Sequence, residues 1–176
     1  MALALAGAWI SRWIGRMYHA AMTMKADFVN LFLDLAVQVW RERLPVGLSF
    51  REAEAVSGVF VTEGLTAATS VEGRLKGHVF YEFPEETALA IATALEGEER
   101  TEVDEPVFTI IETLAEAMSA DMEQALARAG LASEVATPVL LAHGASVTIM
   151  EPQVWAHFDS DLGPMGVRVS LAGTAG

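Results

Sequence analysis

Three glutamates, a serine and an alanine share one side of a predicted helix, and their types and spacing are the first hint of chemistry. At 100° per residue, Ala115, Glu116, Ser119 and Glu123 all lie within about 60° of Glu112. We call these five positions the acidic ridge. Carboxylates at i and i+4 slightly destabilise a helix, so the ridge is either an exposed face that only meets water or a surface retained for a partner.

The helix that carries the acidic ridge is predicted over residues 106–129, with Gly130 as its C-terminal cap. Its other side is an apolar stripe typical of packing on a core, made of Ile110, Ile111, Leu114, Met118, Met122 and Ala125. The ridge is therefore expected to face solvent. Two more helices are predicted, one over 24–44 that Pro45 stops, and one from Pro84 to about Leu95 that Gly97 ends.

Alternating segments on both sides of the long helix predict the strands that position it. They lie at 48–53, 58–62, 65–72 and 77–83 before the helix, and at 138–142, 145–150, 153–158 and 165–171 after it. This order indicates an α+β fold with one mixed or antiparallel sheet of about six strands and helices packed on one face. The predicted domain covers residues 24–172, and residues 173–176 form a frayed tail.

Composition excludes several classes of function. The chain has 176 residues, no cysteine and a formal net charge of −13, which excludes thiolate metal sites and disfavours nucleic-acid binding. A cytoplasmic location is compatible with the lack of cysteine. The four histidines show no ligand spacing, and His78 and His157 are expected to be ordinary strand residues, so no metal site is predicted. Asp121, at the edge of the apolar stripe, is expected to pair with Gln124 or Arg128.

Residues 1–23 form a separate N-terminal extension. Its apolar residues fall mostly on one helical arc, and it carries two arginines and no acid. One interpretation is a basic amphipathic helix that contacts a membrane surface or a partner groove. The alternative, which we favour, is that the start was placed too early and that Met22 or Met24 is the true first residue.

From Met24 onward the sequence resembles the CheC/CheX/FliY group of chemotaxis phosphatases, most of all the single-motif CheX type. The similar stretches are ADFVNLFLDLAVQVW, GRLKGHVFYEFPEETALAIATALEGEE, the long helix, ATPVLLAHG and the pair VWAHF…GVRVSL. The motif of that group is Asp or Ser, three residues, Glu, two residues, Asn, twenty-two residues, Pro. Glu112 and Pro138 match it, whereas Ala115 replaces the asparagine and Phe108 the Asp or Ser.

The resemblance implies a partner and a site. It implies that the helix inserts into the phosphorylation site of a CheY-like response regulator, where the glutamate pairs with a lysine and the asparagine positions a water on the aspartyl-phosphate. Glu112 would then be the docking residue, with Glu116, Ser119 and Glu123 on the same binding surface and Pro138 structural. The regulator would bring the Mg²⁺, so no cofactor is expected on this chain. CheX-type relatives also suggest a homodimer.

Ala115 leaves three functional interpretations open, because a methyl group can neither donate to nor accept from a water. The first is a phosphatase of a phosphorylated response regulator with an unusual water-positioning group. The second is a catalytically inactive module that docks on a response regulator. The third is a structural component of the flagellar-switch type. The missing amide favours the second over the first. Glu116 would bring negative charge towards the phosphoryl group, and Ser119 lies a turn away.

Overall fold

The computed structural model describes residues 26–44 and 46–173. The predictions for the 1–23 extension, for the stop at Pro45 and for residues 174–176 lie outside these residues. The described part contains three helices, α1 (Ala26–Arg43), α2 (Glu85–Glu96) and α3 (Glu105–Arg128). It also contains seven strands: β1 (Leu48–Val61), β2 (Gly64–Gly73), β3 (Leu75–Pro84), β4 (Ser133–Val135), β5 (Val139–Leu141), β6 (Ser146–Ser160) and β7 (Gly163–Gly173).

All seven strands form one antiparallel sheet. Its order is β1-β6-β7-β3-β2, and both β4 and β5 pair with β2 at the far edge. The α+β prediction with a single sheet is confirmed, with seven strands in place of about six. Gly173, which the sequence placed in the frayed tail, pairs with Leu75 inside the sheet.

The extra length of β1 and β6 corrects the predicted strand boundaries. The predicted segments 48–53 and 58–62 belong to one strand, as do 145–150 and 153–158. The pairing of β1 with β6 shifts register between Val56 and Gly58, where Gly58 has a φ of 91° that favours glycine. A bulge interrupts the alternation pattern without ending the strand, so it looks like a loop in the sequence.

The three helices share one core with one face of the sheet. Trp40 of α1 stacks on Phe83 of β3, with ring centroids 5.2 Å apart. Alternate residues of a strand point to the same face, so Tyr81 and Val79 lie beneath the helices with Phe83. All three side chains are buried. The acidic ridge of α3 is thus carried by a helix that is anchored in the main core.

The other face of the sheet is crossed by the paired ends of β1 and β6, residues 58–61 and 146–149, which we call the arm. Phe60 of the arm meets Phe80 of β3 edge-on, with ring centroids 5.4 Å apart. At the tip, the Thr62 hydroxyl donates to the carbonyl of Ala142 (2.6 Å) and accepts from the amide of Ala145 (2.9 Å). The two connections that cross the sheet are therefore joined to each other through Thr62.

Both ends of α3 follow from local sequence. The Asp104 side chain accepts from the amide of Val107 at 3.1 Å, and a proline follows in the first turn. At the other end, Gly130 has a φ of 77°, and its amide and that of Leu131 bond back to the carbonyls of Ala127 and Leu126. The prediction of Gly130 as the closing glycine is confirmed.

Candidate functional site

The acidic ridge is part exposed and part buried. Glu116 and Glu123 are exposed and Glu112 is half-buried. Ala115 and Ser119 retain only 1% and 3% of their accessible surface. The prediction that these two residues face solvent among the glutamates is therefore wrong.

Ala115 belongs to the main hydrophobic core. The segment that follows α3 packs beside the other end of the ridge, at Glu123. It returns along the helix as β4, and the Glu123 carboxylate accepts a hydrogen bond from the amide of Val135 at 2.9 Å. This contact holds β4 to the flank of α3. The apolar stripe alone did not predict the wider buried arc, because alanine and serine add little to a hydrophobic pattern.

An open groove of about 410 Å³ lies between α3 and this returning segment. Glu116, Ser119 and Glu123 line its helix side, and Thr137 and Pro138 line the other. We call it the ridge groove. The structure thus brings the motif proline next to three of the predicted partner-binding residues, although 15 or more positions separate them in the sequence.

The Ser119 hydroxyl is a second unexpected feature of the ridge groove. Its Oγ is buried and has no hydrogen-bond partner within the described part of the chain. A buried hydroxyl without a partner costs free energy. The hydroxyl lies one turn of helix from Ala115, but it is closed to solvent.

A more apolar groove of about 520 Å³ lies at the start of α3. Phe108 lines it together with Leu65, Val103 and His143. Glu112 and Ala115 occupy the turns of α3 between this groove and the ridge groove. The position that holds Asp or Ser in the motif therefore presents an aromatic ring to an apolar surface.

Asp121 lies on the opposite side of α3 and has a structural role. Its two carboxylate oxygens accept from Arg43 of α1 at 2.6 and 2.8 Å. These hydrogen bonds hold the pKa of Asp121 below its ordinary value. The sequence predicted pairing with Gln124 or Arg128, whereas the hydrogen-bond partner is Arg43 from another helix, and the charge of Arg128 makes only a smaller contribution to the lowered pKa.

A second group of polar residues, which sequence reasoning missed, lies on the sheet face crossed by the arm. It consists of Glu82, Trp155, His157 and Arg168 from three strands. Only strand pairing brings them together: Trp155 lies opposite Arg168, and His157 opposite Gly166. Of these four residues, the sequence pattern draws attention only to His157, which it predicts to be an ordinary strand residue.

The described residues provide neither a metal-binding cluster nor a membrane-spanning helix. Within 26–44 and 46–173, no group of three or more His, Asp or Glu side chains is arranged to hold a metal ion. Over the same residues, no helix combines the length and apolar character needed to cross a membrane.

Comparison with known proteins agrees with the family resemblance. The family model described as "Chemotaxis phosphatase CheX" matches residues 65–158. No curated protein matches the chain.

Solved structures with the same fold include a CheC-like superfamily protein from Shewanella sp. PV-4, with a TM-score of 0.72 and 20% identity over 85% of this chain and 100% of that one. CheX from Desulfovibrio desulfuricans has a TM-score of 0.69 and 15% identity, covering 84% and 99%. CheX from Borrelia burgdorferi, crystallised with CheY, BeF3 and Mg²⁺, has a TM-score of 0.65 and 20% identity, covering 82% and 97%.

Proposed function

This chain belongs to the CheX family of chemotaxis phosphatases, and we propose that it docks on a CheY-like response regulator without supplying the water-positioning amide. The observation that carries this proposal is the state of position 115. Ala115 is 1% exposed and packs in the core, so the motif position holds neither a polar group nor an accessible one. Docking and water positioning are separable, because they depend on different residues.

The docking half of the proposal rests on Glu112 and its surroundings. Its carboxylate is half-buried on the helix, between the apolar groove at Phe108 and the ridge groove. A partly desolvated carboxylate pairs more strongly with a lysine than a fully exposed one does. The neighbouring Glu116 is exposed and adds to the negative potential that would attract a basic regulator surface.

In this proposal catalysis is lost because position 115 has no group that can position the attacking water. Hydrolysis of an aspartyl-phosphate depends mainly on positioning the attacking water and on stabilising charge. In the proposed complex the regulator brings the phosphoryl group and Mg²⁺, and Glu112 pairs with its lysine. The attacking water then has no hydrogen-bond partner at position 115.

Ser119 supports a competing proposal, an active phosphatase with a displaced water-positioning group. Its hydroxyl has no partner in the described part of the chain, and the residue lies beside the ridge groove. Its Oγ is closed to solvent, however, so α3 or the β4 segment would have to move before a water could reach it. We therefore propose docking without catalysis as the main function.

The test separates binding from turnover. A CheY-type regulator loaded with Mg²⁺ and BeF3⁻, as in the B. burgdorferi complex, is titrated with the full chain by calorimetry. We expect a complex that Glu112→Gln weakens about tenfold, which corresponds to about 1.4 kcal/mol. Glu151→Gln is the matched control, because Glu151 is exposed on β6 and outside the acidic ridge.

The rate of phosphate release tests whether the chain dephosphorylates the regulator. Regulator phosphorylated with acetyl phosphate is expected to lose phosphate at the same rate with and without this chain. Accelerated release would contradict the loss of catalysis, and Ser119→Ala would then show whether the hydroxyl is responsible. Absence of any complex would contradict the docking proposal and leave the structural alternative.

A further inference from the structure

The groove at Phe108, which we call the apolar groove, and the ridge groove border the same helix and share an opposite wall. In the ridge groove this wall includes Pro138, and in the apolar groove it includes Ala142. The four steps of extended chain from Pro138 to Ala142 span about 14 Å. The rise of α3 from Phe108 to Glu116 is about 12 Å. The two grooves are therefore the ends of one cleft between α3 and β5.

Glu112 lies between the two ends of this cleft. It follows Phe108 by four residues, so the two side chains share one face of α3 and lie one turn, about 5.4 Å, apart. A specific protein contact covers about 800 Å² on each partner, far more than one turn of helix. A partner that reaches Glu112 therefore also covers the mouth of the apolar groove.

The apolar groove offers hydrophobic surface to such a partner. Leu65 is 2% exposed and forms its floor, whereas Val103 at its edge is 36% exposed and Phe108 is half-buried. Covering Val103 and the exposed part of the Phe108 ring removes apolar surface from water, which favours association. The volume of about 520 Å³ accommodates a large aliphatic or aromatic side chain.

The rim of the apolar groove is acidic. Glu85 and Glu105 are exposed and line it together with Asp104. The loop that leads into α3, residues 96–105, contains six acidic residues and one basic residue, Arg100. Arg100 lies 3.8 Å from Asp104 and offsets only part of this negative charge. An apolar side chain flanked by lysine or arginine complements the rim, whereas acidic neighbours would be repelled.

We propose that the apolar groove receives a large apolar side chain of the response regulator, flanked by lysine or arginine, and that Phe108 and Val103 select the regulators that carry it. This inference rests on the proposed function, because it assigns a second contact to the partner that Glu112 engages. An ion pair at Glu112 recognises a charge alone. The apolar groove also recognises size and shape, so it adds specificity.

The test uses the titration designed for Glu112→Gln, with the full chain and a regulator carrying Mg²⁺ and BeF3⁻. Phe108→Ser is expected to weaken the complex about tenfold, a loss typical of truncating a buried anchor. Phe108→Leu keeps an apolar side chain and should weaken it less than about threefold. Val103→Ser should weaken it about threefold, and it decides if Phe108→Ser does not fold, because Val103 lies in a loop.

Val139→Ser is the matched control for these variants. Val139 is 62% exposed, more than Val103, so its loss removes at least as much exposed apolar surface. It alternates along β5 with Leu140, which packs on the core beneath the helices, and therefore points to the sheet face away from α3. Val139→Ser should leave the affinity for the regulator unchanged.

A double-mutant cycle identifies the side chain that enters the groove. Each exposed large apolar residue around the phosphorylated aspartate of the regulator is changed to alanine in turn. One of these changes should weaken the complex with the unmodified chain about tenfold. The same change should weaken the complex with Phe108→Ser less than about twofold, because the contact is already lost.

The failure of this inference differs from the failure of docking. If Glu112→Gln weakens the complex and neither Phe108→Ser nor Val103→Ser does, the groove contact is overturned and docking stands. If no complex forms, both are overturned. If no regulator residue is coupled to Phe108, and a synthetic peptide of residues 1–23 binds the chain in a way that Phe108→Ser abolishes, the groove belongs to the extension and the inference is overturned.

Discussion

At the scale of single residues, position 115 belongs both to the family motif and to the packed core. Ala115 stands where the family motif has asparagine, and it is also a buried core residue. Under the proposed function, a substitution there would change water positioning and stability together. The same dual role holds for Glu123, whose carboxylate lies on the predicted partner surface but also accepts from the amide of Val135.

Ala115→Asn is predicted to raise phosphate release from a phosphorylated regulator by about tenfold or more, since a positioned water removes part of the entropic barrier. The same change should lower the free energy of unfolding by about 1–3 kcal/mol, because a carboxamide enters a buried site. Single-turnover phosphate release and urea denaturation measure the two effects.

Ala115→Leu is the control for this change, because leucine has the same branched skeleton of four side-chain heavy atoms as asparagine and no amide. It should lower stability and leave phosphate release unchanged. A variant with asparagine that binds the regulator and shows no gain in rate would mean that the docking geometry has also diverged.

At the scale of elements, the start of α3 depends on one side chain. Asp104 accepts from the amide of Val107, which would otherwise lack a partner in the first turn. Asp104→Ala is predicted to lower the free energy of unfolding by about 1 kcal/mol, the usual value of an N-cap. Asp104→Asn retains a capping oxygen and should change the urea midpoint little. An equal loss of unfolding free energy in both variants would assign the effect to the negative charge of Asp104.

The contact between α1 and α3 should make stability depend on pH. The hydrogen bonds from Arg43 lower the pKa of Asp121 in the folded state. The pair therefore stabilises the fold above the pKa of an unfolded aspartate, about 3.9. This contribution is lost as the pH falls through the lower pKa of the folded state. Because the Arg43 side chain is 42% exposed, the contribution is at most about 1 kcal/mol.

Arg43→Gln is thus expected to lower the urea midpoint at pH 7, and the difference from the unmodified chain should shrink as the pH falls below about 3.9. Arg51→Gln is the control, since Arg51 and Asp159 are each 54% exposed and 3.6 Å apart. That variant should match the unmodified chain at both pH values. A pH-independent loss in Arg43→Gln would assign the effect to packing of the side chain.

At the scale of the whole molecule, Thr62 joins the two connections that cross the sheet. Its side chain is fully buried, and its hydroxyl contacts Ala142 and Ala145, which lie 80 and 83 residues away. Thr62→Val is predicted to lower the free energy of unfolding by about 1–3 kcal/mol, because it removes both hydrogen bonds with little change in shape. Thr62→Ser keeps the hydroxyl and should lose less. A larger loss in the serine variant would show that the methyl group matters more.

Much of the fold could be predicted from the sequence, because its cause is local. The helix limits follow from the spacing of apolar residues at 3.6 per turn, and from Pro84 and Gly97 at the two ends of α2. Gly130, whose αL conformation closes α3, sets the end of that helix. The match of Glu112 and Pro138 to the motif, with Ala115 in place of the amide, is also a property of the sequence alone.

Tertiary structure decided the features that depend on residues far apart in the chain. Asp121 pairs with Arg43 at a separation of 78 residues, and Arg168 with Glu82 at 86. No periodic pattern encodes such contacts, because they exist only after the elements pack. The burial of Ala115 has the same origin: an alanine does not by itself indicate burial, and position 115 is closed from water only when α3 packs into the core.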